Sequence, residues 1–114
     1  MNFVEMLEYR LKTHDKVVVV TDTNCKKLTL DIVTYLYGEF NESNYFKFSK
    51  EYANKLTFYV VRDYETNKFI TVLSDLLAKG ITSIVVYDTP KHLLRSEYLH
   101  EWLSETKEIT VDFT

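Results

Sequence analysis

The sequence predicts a single α/β domain over residues 1–114, built as three layers with helices on both faces of a mostly parallel sheet of about five strands. Two observations predict this class. Three short apolar runs rich in β-branched residues alternate with segments whose apolar residues recur at helical spacing. Those runs are apolar on both sides, as strands covered on both faces are. We expect right-handed crossovers, the flavodoxin-like order 2-1-3-4-5 and an extra N-terminal helix.

The chain opens with a predicted helix and a predicted central strand. Asn2 is a suitable N-cap with Glu5 three residues later, and the apolar residues that follow share one helical face, so residues 2–13 should be helical. Residues 16–21 contain four consecutive valines, which predicts a strand in the middle of the sheet.

A second helix and a short strand are predicted next. Residues 22–24 offer cap residues for a helix that runs to about Tyr37, and Gly38 is placed to end it. The aromatic residues at 45–48 predict an edge strand, and residues 49–55 read as a polar connection. A connection this short is unusual for a parallel crossover, so an antiparallel hairpin and a mixed sheet remain an alternative.

The middle of the chain repeats the strand and helix pattern. Residues 56–61 predict a second interior strand, and Asp63 or Thr66 could cap the helix that follows. That helix carries apolar residues at i, i+3, i+4, i+7 and i+8 and should end at Gly80. Residues 81–87 predict a third interior strand.

The chain is predicted to finish with one helix and one edge strand. Thr89 should be the N-cap and Pro90 the first residue of a helix that runs to about Glu105. Residues 108–113 then alternate apolar and polar, as an edge strand does.

Composition and charge argue against several classes of function. Fourteen basic against 17 acidic residues leave a net charge of −3, and neither sign forms a block, so we expect no nucleic-acid partner. The apolar runs are too short to span a membrane, and a single cysteine fits a reducing, cytoplasmic location. The two glycines both fall at helix ends, which leaves none for a phosphate-binding loop. We therefore expect no cofactor.

The predicted fold places the candidate ligand site at the carboxyl ends of the strands, where an open α/β sheet forms its crevice. Three aspartates, one after each interior strand, could together hold Mg²⁺ there. Each could instead cap, or place a negative charge beside, the helix that follows it. The ligand-binding candidates are Asp22, Asn24, Cys25, Asp63, Asp88, Thr89 and Lys91, with Asp22, Asp63 and Asp88 as the magnesium set.

In outline this arrangement resembles the response-regulator receiver domains, which share the strand order. At the level of residues, Asp22, Asp63 and Thr89 match positions of that family's site. The chain departs from the pattern because one aspartate replaces the acidic pair and no lysine follows the last strand. The resemblance implies a shared architecture.

Cys25 lies where a helix N-terminus and two neighbouring lysines would lower the pKa of a thiol. No second cysteine follows three residues later, and the phosphatase spacing of cysteine and arginine fails because residue 31 is Asp. A packed or inert thiol is the simpler interpretation.

The sequence is rich in aromatic residues, with nine tyrosines, seven phenylalanines and one tryptophan. Because tyrosine and tryptophan dominate protein interfaces, we expect a small non-catalytic binding or regulatory module that acts through protein contacts or self-association. A viral or mobile-element accessory role fits the composition. The alternative is a small carboxylate-site enzyme or sensor, magnesium-dependent, that acts on a phosphorylated ligand. The predicted partner surface consists of Arg95, Tyr98, His100 and Trp102.

Overall fold

A computed structural model of the chain describes residues 2–22 and 25–114. These residues form six helices and four strands. Their bounds are α1 Phe3–Thr13, β1 Val17–Thr21, α2 Cys25–Tyr37, α3 Glu42–Tyr52, β2 Leu56–Val60, α4 Thr66–Ala78, β3 Ser83–Val86, α5 Lys91–Leu94, α6 Glu97–Glu105 and β4 Thr110–Phe113.

The strands form one parallel sheet in the order β2-β1-β3-β4. Val19 of β1 stands at its centre, paired with Phe58 of β2 on one side and Val85 of β3 on the other. The predicted α/β class and parallel sheet are confirmed, and the order is compatible with a flavodoxin-like winding. The described residues contain four strands where about five were predicted.

Helices cover both faces of the sheet, which confirms the three layers. On one face α1, α2 and α3 pack on alternate valines of the strands, among them Val17, Val19 and Val85. On the other face α4, α5 and α6 pack on Val18 and Val20 with residues of β3. All five residues of β1 are buried, as its run of valines predicts.

The extra N-terminal helix forms as predicted. The Asn2 side chain accepts a hydrogen bond from the Glu5 N–H at 2.9 Å, which satisfies one of the free donors at the start of α1. Phe3, Leu7 and Leu11 bury one face of the helix.

The strand predicted at residues 45–48 is wrong, because this segment lies inside helix α3. The Asn41 side chain caps the helix by accepting the Asn44 N–H at 2.8 Å. Phe48 is buried against the α2 face, so packing rather than aromatic strand propensity decides the conformation. Two helices now connect β1 to β2, and this longer crossover leaves β2 parallel to β1.

The position of β2 also differs from the prediction. The segment at 56–61 was expected in the interior of the sheet, but β2 is an edge strand beside β1. Its residues are half-buried or exposed, and Val60 is 48% exposed. Because α3 takes the place of the predicted aromatic edge strand, β2 becomes the outermost strand on that side.

The last predicted helix is two helices. Pro90 is the N-cap of the short helix α5 and makes no side-chain cap, whereas Thr89 was expected in that role. The chain breaks at Arg95, and Ser96 starts α6 by accepting the Leu99 N–H at 3.1 Å. The edge strand predicted at 108–113 is confirmed as β4.

The predicted glycine positions are confirmed at the ends of the two longest helices, α2 and α4. Gly38 and Gly80 have φ of +85° and +81°, which is the left-handed region that favours glycine. Over residues 2–22 and 25–114, no helix combines the length and the apolar character needed to cross a bilayer.

Candidate functional site

The crevice at the carboxyl ends of the strands forms around β1. The chain leaves β1 towards β2 on one side, and β3 lies on the other, so β1 and β3 flank the switch point. Asp22 follows β1 directly, Asp88 lies two residues beyond β3, and the loop after β2 carries Asp63 and Tyr64. Three of the predicted loops therefore meet at this edge.

Tyr64, in the loop after β2, is buried in the core next to these strand ends. Its side chain is 7% exposed, and its hydroxyl has no hydrogen-bond partner among the residues described. Burial first, and then the nearby charges of Asp22 and Asp88, together raise the pKa of Tyr64 from 10.0 to about 12. Two of the three predicted aspartates thus act on the same hydroxyl. Tyr64, which follows Asp63 directly, is not among the predicted ligand-binding residues.

Asp88 holds a strained backbone conformation. Its φ is +52°, so it adopts the left-handed region although it has a Cβ atom. Aspartate is one of the few residues that tolerate this region, because its short side chain can bond locally. The carboxylate is exposed at the end of β3.

Asp63 does not join the other two aspartates. Its carboxylate accepts a hydrogen bond from Lys68 Nζ at 2.7 Å and another from the Glu65 N–H at 2.9 Å. These two bonds, Lys68 first, lower the pKa of Asp63. The cap predicted at Asp63 or Thr66 is wrong, because the N-cap of α4 is Glu65, which makes no side-chain cap. Asp63 instead places its carboxylate beside the start of the helix, the other alternative proposed for it. In the described part of the chain, no three His, Cys, Asp or Glu side chains are grouped to hold a metal ion.

His92 fixes the start of α5 to the crevice. Its Nε2 lies 2.6 Å from the carbonyl oxygen of Tyr64, and because a carbonyl only accepts, Nε2 carries the proton. The bond joins α5 to the loop after β2. Lys91, the first residue of α5, is exposed beside it.

Thr89 makes two hydrogen bonds with Thr114. Its N–H donates to the carbonyl oxygen of Thr114 at 2.7 Å, and its hydroxyl accepts the Thr114 N–H at 3.2 Å. Only 8% of Thr89 is exposed. The predicted ligand-binding residue is thus a buried link between the β3 loop and the end of β4.

Of the remaining predicted residues, Cys25 lies at the start of α2. Cys25 is the first residue of the helix and a half-buried free thiol, and its carbonyl accepts the Thr29 hydroxyl at 2.8 Å. Asn24 lies outside the described residues.

The predicted partner surface is divided by the structure. Tyr98 is 60% exposed on α6, and Trp102 lies one turn later, half-buried against the core. With Glu101 and Glu105 they line a shallow cavity of about 170 Å³.

Arg95 and His100, the other two predicted partner residues, do not line this cavity. Arg95 ends α5, where its N–H donates to the Lys91 carbonyl at 3.1 Å. His100 Nε2 donates to the Leu94 carbonyl at 2.7 Å, and its ring meets Phe113 edge-on at 6.1 Å between centroids. These contacts join α5, α6 and β4.

An apolar groove beside β2 was not predicted. It has a volume of about 300 Å³ and runs between α2, α3 and the edge strand. The strand predicted at residues 45–48 would not form this groove, whereas the helical spacing of the aromatic residues at 45, 48 and 52 could have indicated α3. Its lining residues are Thr29, Tyr45, Phe48, Ser49, Tyr52, Ala53, Leu56 and Phe58.

A larger, more polar cavity lies at the opposite end of the sheet from the crevice. Its volume is about 500 Å³, and it is formed where α1 leads into β1 and α4 leads into β3. None of the predicted site residues lines it. Its lining residues are Thr13, His14, Asp15, Lys16, Lys79, Gly80 and Thr82.

No protein-family model, curated protein or solved structure matches this chain.

Proposed function

We propose that the protein is a non-catalytic binding module that recognises a basic segment of a partner protein through α6. The observation that carries this proposal is the shallow cavity that Tyr98 and Trp102 line together with Glu101 and Glu105. A regulatory role in the cytoplasm, including that of a viral or mobile-element accessory protein, belongs to the same proposal.

The chemistry of this surface fits lysine or arginine. The faces of tyrosine and tryptophan attract cations, with a gain of about 0.5–1 kcal/mol at exposed sites. Glu101 and Glu105 add two carboxylates next to the rings, and the whole chain carries a net charge of −3. Charge complementarity of this kind steers the approach of a basic partner and weakens as salt rises.

The single tryptophan gives a direct test. We expect an arginine- and lysine-rich peptide to change the fluorescence of Trp102 in a saturable titration, with weaker binding at high salt. Exchanging both carboxylates in a Glu101→Gln, Glu105→Gln variant should weaken binding about tenfold, which corresponds to about 1.4 kcal/mol.

The matched control removes two exposed carboxylates elsewhere, in an Asp75→Asn, Glu108→Gln variant of the same net charge. Equal loss in both double variants would reduce the effect to net charge and contradict a specific α6 surface. An acidic peptide of the same length should leave the Trp102 signal unchanged.

A second candidate function uses the crevice as a carboxylate site for Mg²⁺ and a phosphorylated ligand. Asp22 directly follows β1 and Asp88 lies two residues beyond the neighbouring β3, so both carboxylates are at the same end of the sheet, which supports a shared site. Magnesium prefers one or two carboxylates and keeps several waters, so two aspartates are a sufficient protein contribution.

Calorimetric titration with magnesium chloride tests this second function. We expect heat of binding in the unaltered protein and none in an Asp22→Asn, Asp88→Asn variant. An Asp15→Asn, Asp75→Asn variant carries the same change in net charge away from the crevice and should bind as before. The same heat in all three proteins, or none in any, would contradict the site.

A further inference from the structure

The outer edge of β2 carries backbone groups that face away from the sheet. The Lys55 carbonyl accepts the Val17 N–H at 2.7 Å, and the Val61 N–H donates to the Thr21 carbonyl at 2.9 Å, so odd-numbered residues here bond to β1. Successive residues of a strand turn their N–H and C=O groups to opposite sides. The groups of Leu56, Phe58 and Val60 therefore point outward, and no strand of the described chain lies beyond them.

This edge lacks the features that usually keep an edge strand from pairing. Natural edges are protected by charges, prolines, bulges or a covering element. Leu56–Val60 contains no charge, proline or glycine, and Val60 is 48% exposed. At the other edge of the sheet, β4 carries Asp112, whose carboxylate is held by Arg10 of α1.

The sequence of β2 is complementary to itself when two copies run antiparallel. With Phe58 opposite the same residue of a second copy, Leu56 stands opposite Val60. All three residues offer outward N–H and C=O groups, so each facing pair can exchange two hydrogen bonds. Their side chains lie on one face, because they alternate with Thr57 and Tyr59.

The geometry points to a second copy of this chain as the occupant of the edge: we propose that two β2 strands pair antiparallel about a two-fold axis at Phe58. The proposed dimer joins two four-stranded sheets into one of eight strands. It does not depend on the α6 surface, which lies on the opposite face of the sheet from α2 and α3.

The apolar groove extends the same interface. Leu56 and Phe58 belong to the edge strand and also line the groove. Tyr45 of α3 lies in the groove wall and is 47% exposed. In the antiparallel register, the second copy's Val60 side chain lies next to Leu56 and covers this opening. A two-fold contact buries the same patch on both chains and closes at two copies, whereas pairing β2 with β4 of another copy would grow into a filament.

The first experiment measures mass and backbone protection together in the unaltered protein. Light scattering after size exclusion should give twice the 13.6 kDa of one chain as the concentration is raised. Hydrogen exchange followed by NMR should show slower exchange at the Leu56, Phe58 and Val60 amides at high concentration only. The amides of Thr57 and Tyr59, which face β1, should be protected at every concentration.

Two substitutions of equal charge separate the proposed edge from the rest of the surface. Val60→Lys places a charge next to Leu56 of the second copy in both symmetry-related contacts, so it should weaken dimerisation about tenfold or more. Circular dichroism should show that the variant is still folded. Thr110→Lys adds the same charge to the exposed side of β4 and should leave the dimer intact. Val60→Pro removes one outward N–H without touching a bond to β1, and it should also favour the monomer.

The proposal would be overturned if the protein were a monomer at every concentration and the amide hydrogens of Leu56, Phe58 and Val60 exchanged fast. The edge would then be left to a strand of another protein. Species larger than a dimer, or a dimer insensitive to Val60→Lys, would overturn the two-fold geometry. Neither result bears on peptide binding to α6, which is read from Trp102, so the two proposals fail separately.

Discussion

Arg10 of α1 donates a hydrogen bond through Nε to the carboxylate of Asp112 on β4. The two residues are separated by 102 positions in the chain, and both side chains are largely buried, at 15% and 22% exposed. The ion pair therefore fastens the N-terminal helix to the last strand of the sheet. A charge-assisted bond in such a setting is stronger than one at the surface.

Breaking this ion pair should destabilise the fold. We expect Arg10→Ala to lower the free energy of unfolding by about 1–3 kcal/mol, since it leaves the Asp112 carboxylate without its charged donor. Urea unfolding measures the change. In a double-mutant cycle with Asp112→Ala, the two losses should not add, because both remove the same interaction.

An exposed ion pair on the same helix is the control for Arg10. Lys12 Nζ lies 3.7 Å from Glu8 Oε1, and the Lys12 side chain is 72% exposed. Lys12→Ala should change the free energy of unfolding by less than about 0.5 kcal/mol. If Lys12→Ala lowered the free energy of unfolding as much as Arg10→Ala, α1 would be stabilised by ion pairs on its exposed surface as much as by its link to β4.

The left-handed conformation of Asp88 predicts opposite results for two substitutions. Asp88→Gly should leave stability unchanged or raise it by up to about 1 kcal/mol, because glycine adopts a positive φ without strain. Asp88→Val should lower it by about 1–2 kcal/mol, since a β-branched side chain is poorly tolerated there. Thermal unfolding compares the two variants. If glycine were the more damaging substitution, the Asp88 carboxylate and not the backbone would control stability at this position.

The break between α5 and α6 depends on a single cap. Ser96 Oγ accepts the Leu99 N–H at 3.1 Å, and Leu99 is fully buried in the core. Ser96→Ala should lower the free energy of unfolding by about 1 kcal/mol. Ser104→Ala is the control, because the Ser104 hydroxyl is exposed and only donates to the Glu101 carbonyl of its own helix. Equal losses would mean that Ser96 does not cap α6.

The sequence predicts the parts of the fold that rest on strong local signals. Four consecutive valines place β1 at the centre of the sheet, and Gly38 and Gly80 end their helices. It misplaces α3, because aromatic residues at 45–48 favour strands in isolation, and the helix depends on Phe48 packing against another helix. Once α3 is a helix, β2 moves from the interior to the edge, which no local pattern in β2 indicates.

The sequence indicates which end of the sheet holds the candidate residues but not which of them lie together. The rule for parallel sheets leads to the strand ends, where Asp22 follows β1 and Asp88 follows β3. Whether an aspartate faces the crevice or the next helix depends on side-chain partners that lie several residues away. Asp63 is taken by Lys68, five residues later, and Thr89 by the C-terminal Thr114.

Tyr64→Phe tests the buried hydroxyl of the crevice. Removing a buried hydroxyl that has no partner in the described chain should raise the free energy of unfolding by about 1 kcal/mol at neutral pH. Ser83→Ala removes a second such hydroxyl, in β3, and should raise it similarly. A loss of stability in Tyr64→Phe would mean that the hydroxyl contributes a favourable interaction to the crevice.

The loss of stability at alkaline pH distinguishes Tyr64→Phe from Ser83→Ala. The pKa of Tyr64 is about 12 in the folded protein against 10.0 ordinarily, so the folded state keeps a proton that the unfolded state loses. This contribution to stability is fully present below pH 10 and is lost as the pH rises towards 12. Burial, and then the hydrogen bond that its hydroxyl donates to Glu51 at 2.9 Å, raise the pKa of Tyr37 to about 12, and Tyr37 adds to the same loss. In urea unfolding between pH 9 and 12, Tyr64→Phe should therefore lose less stability than the unaltered protein, and Ser83→Ala should lose as much.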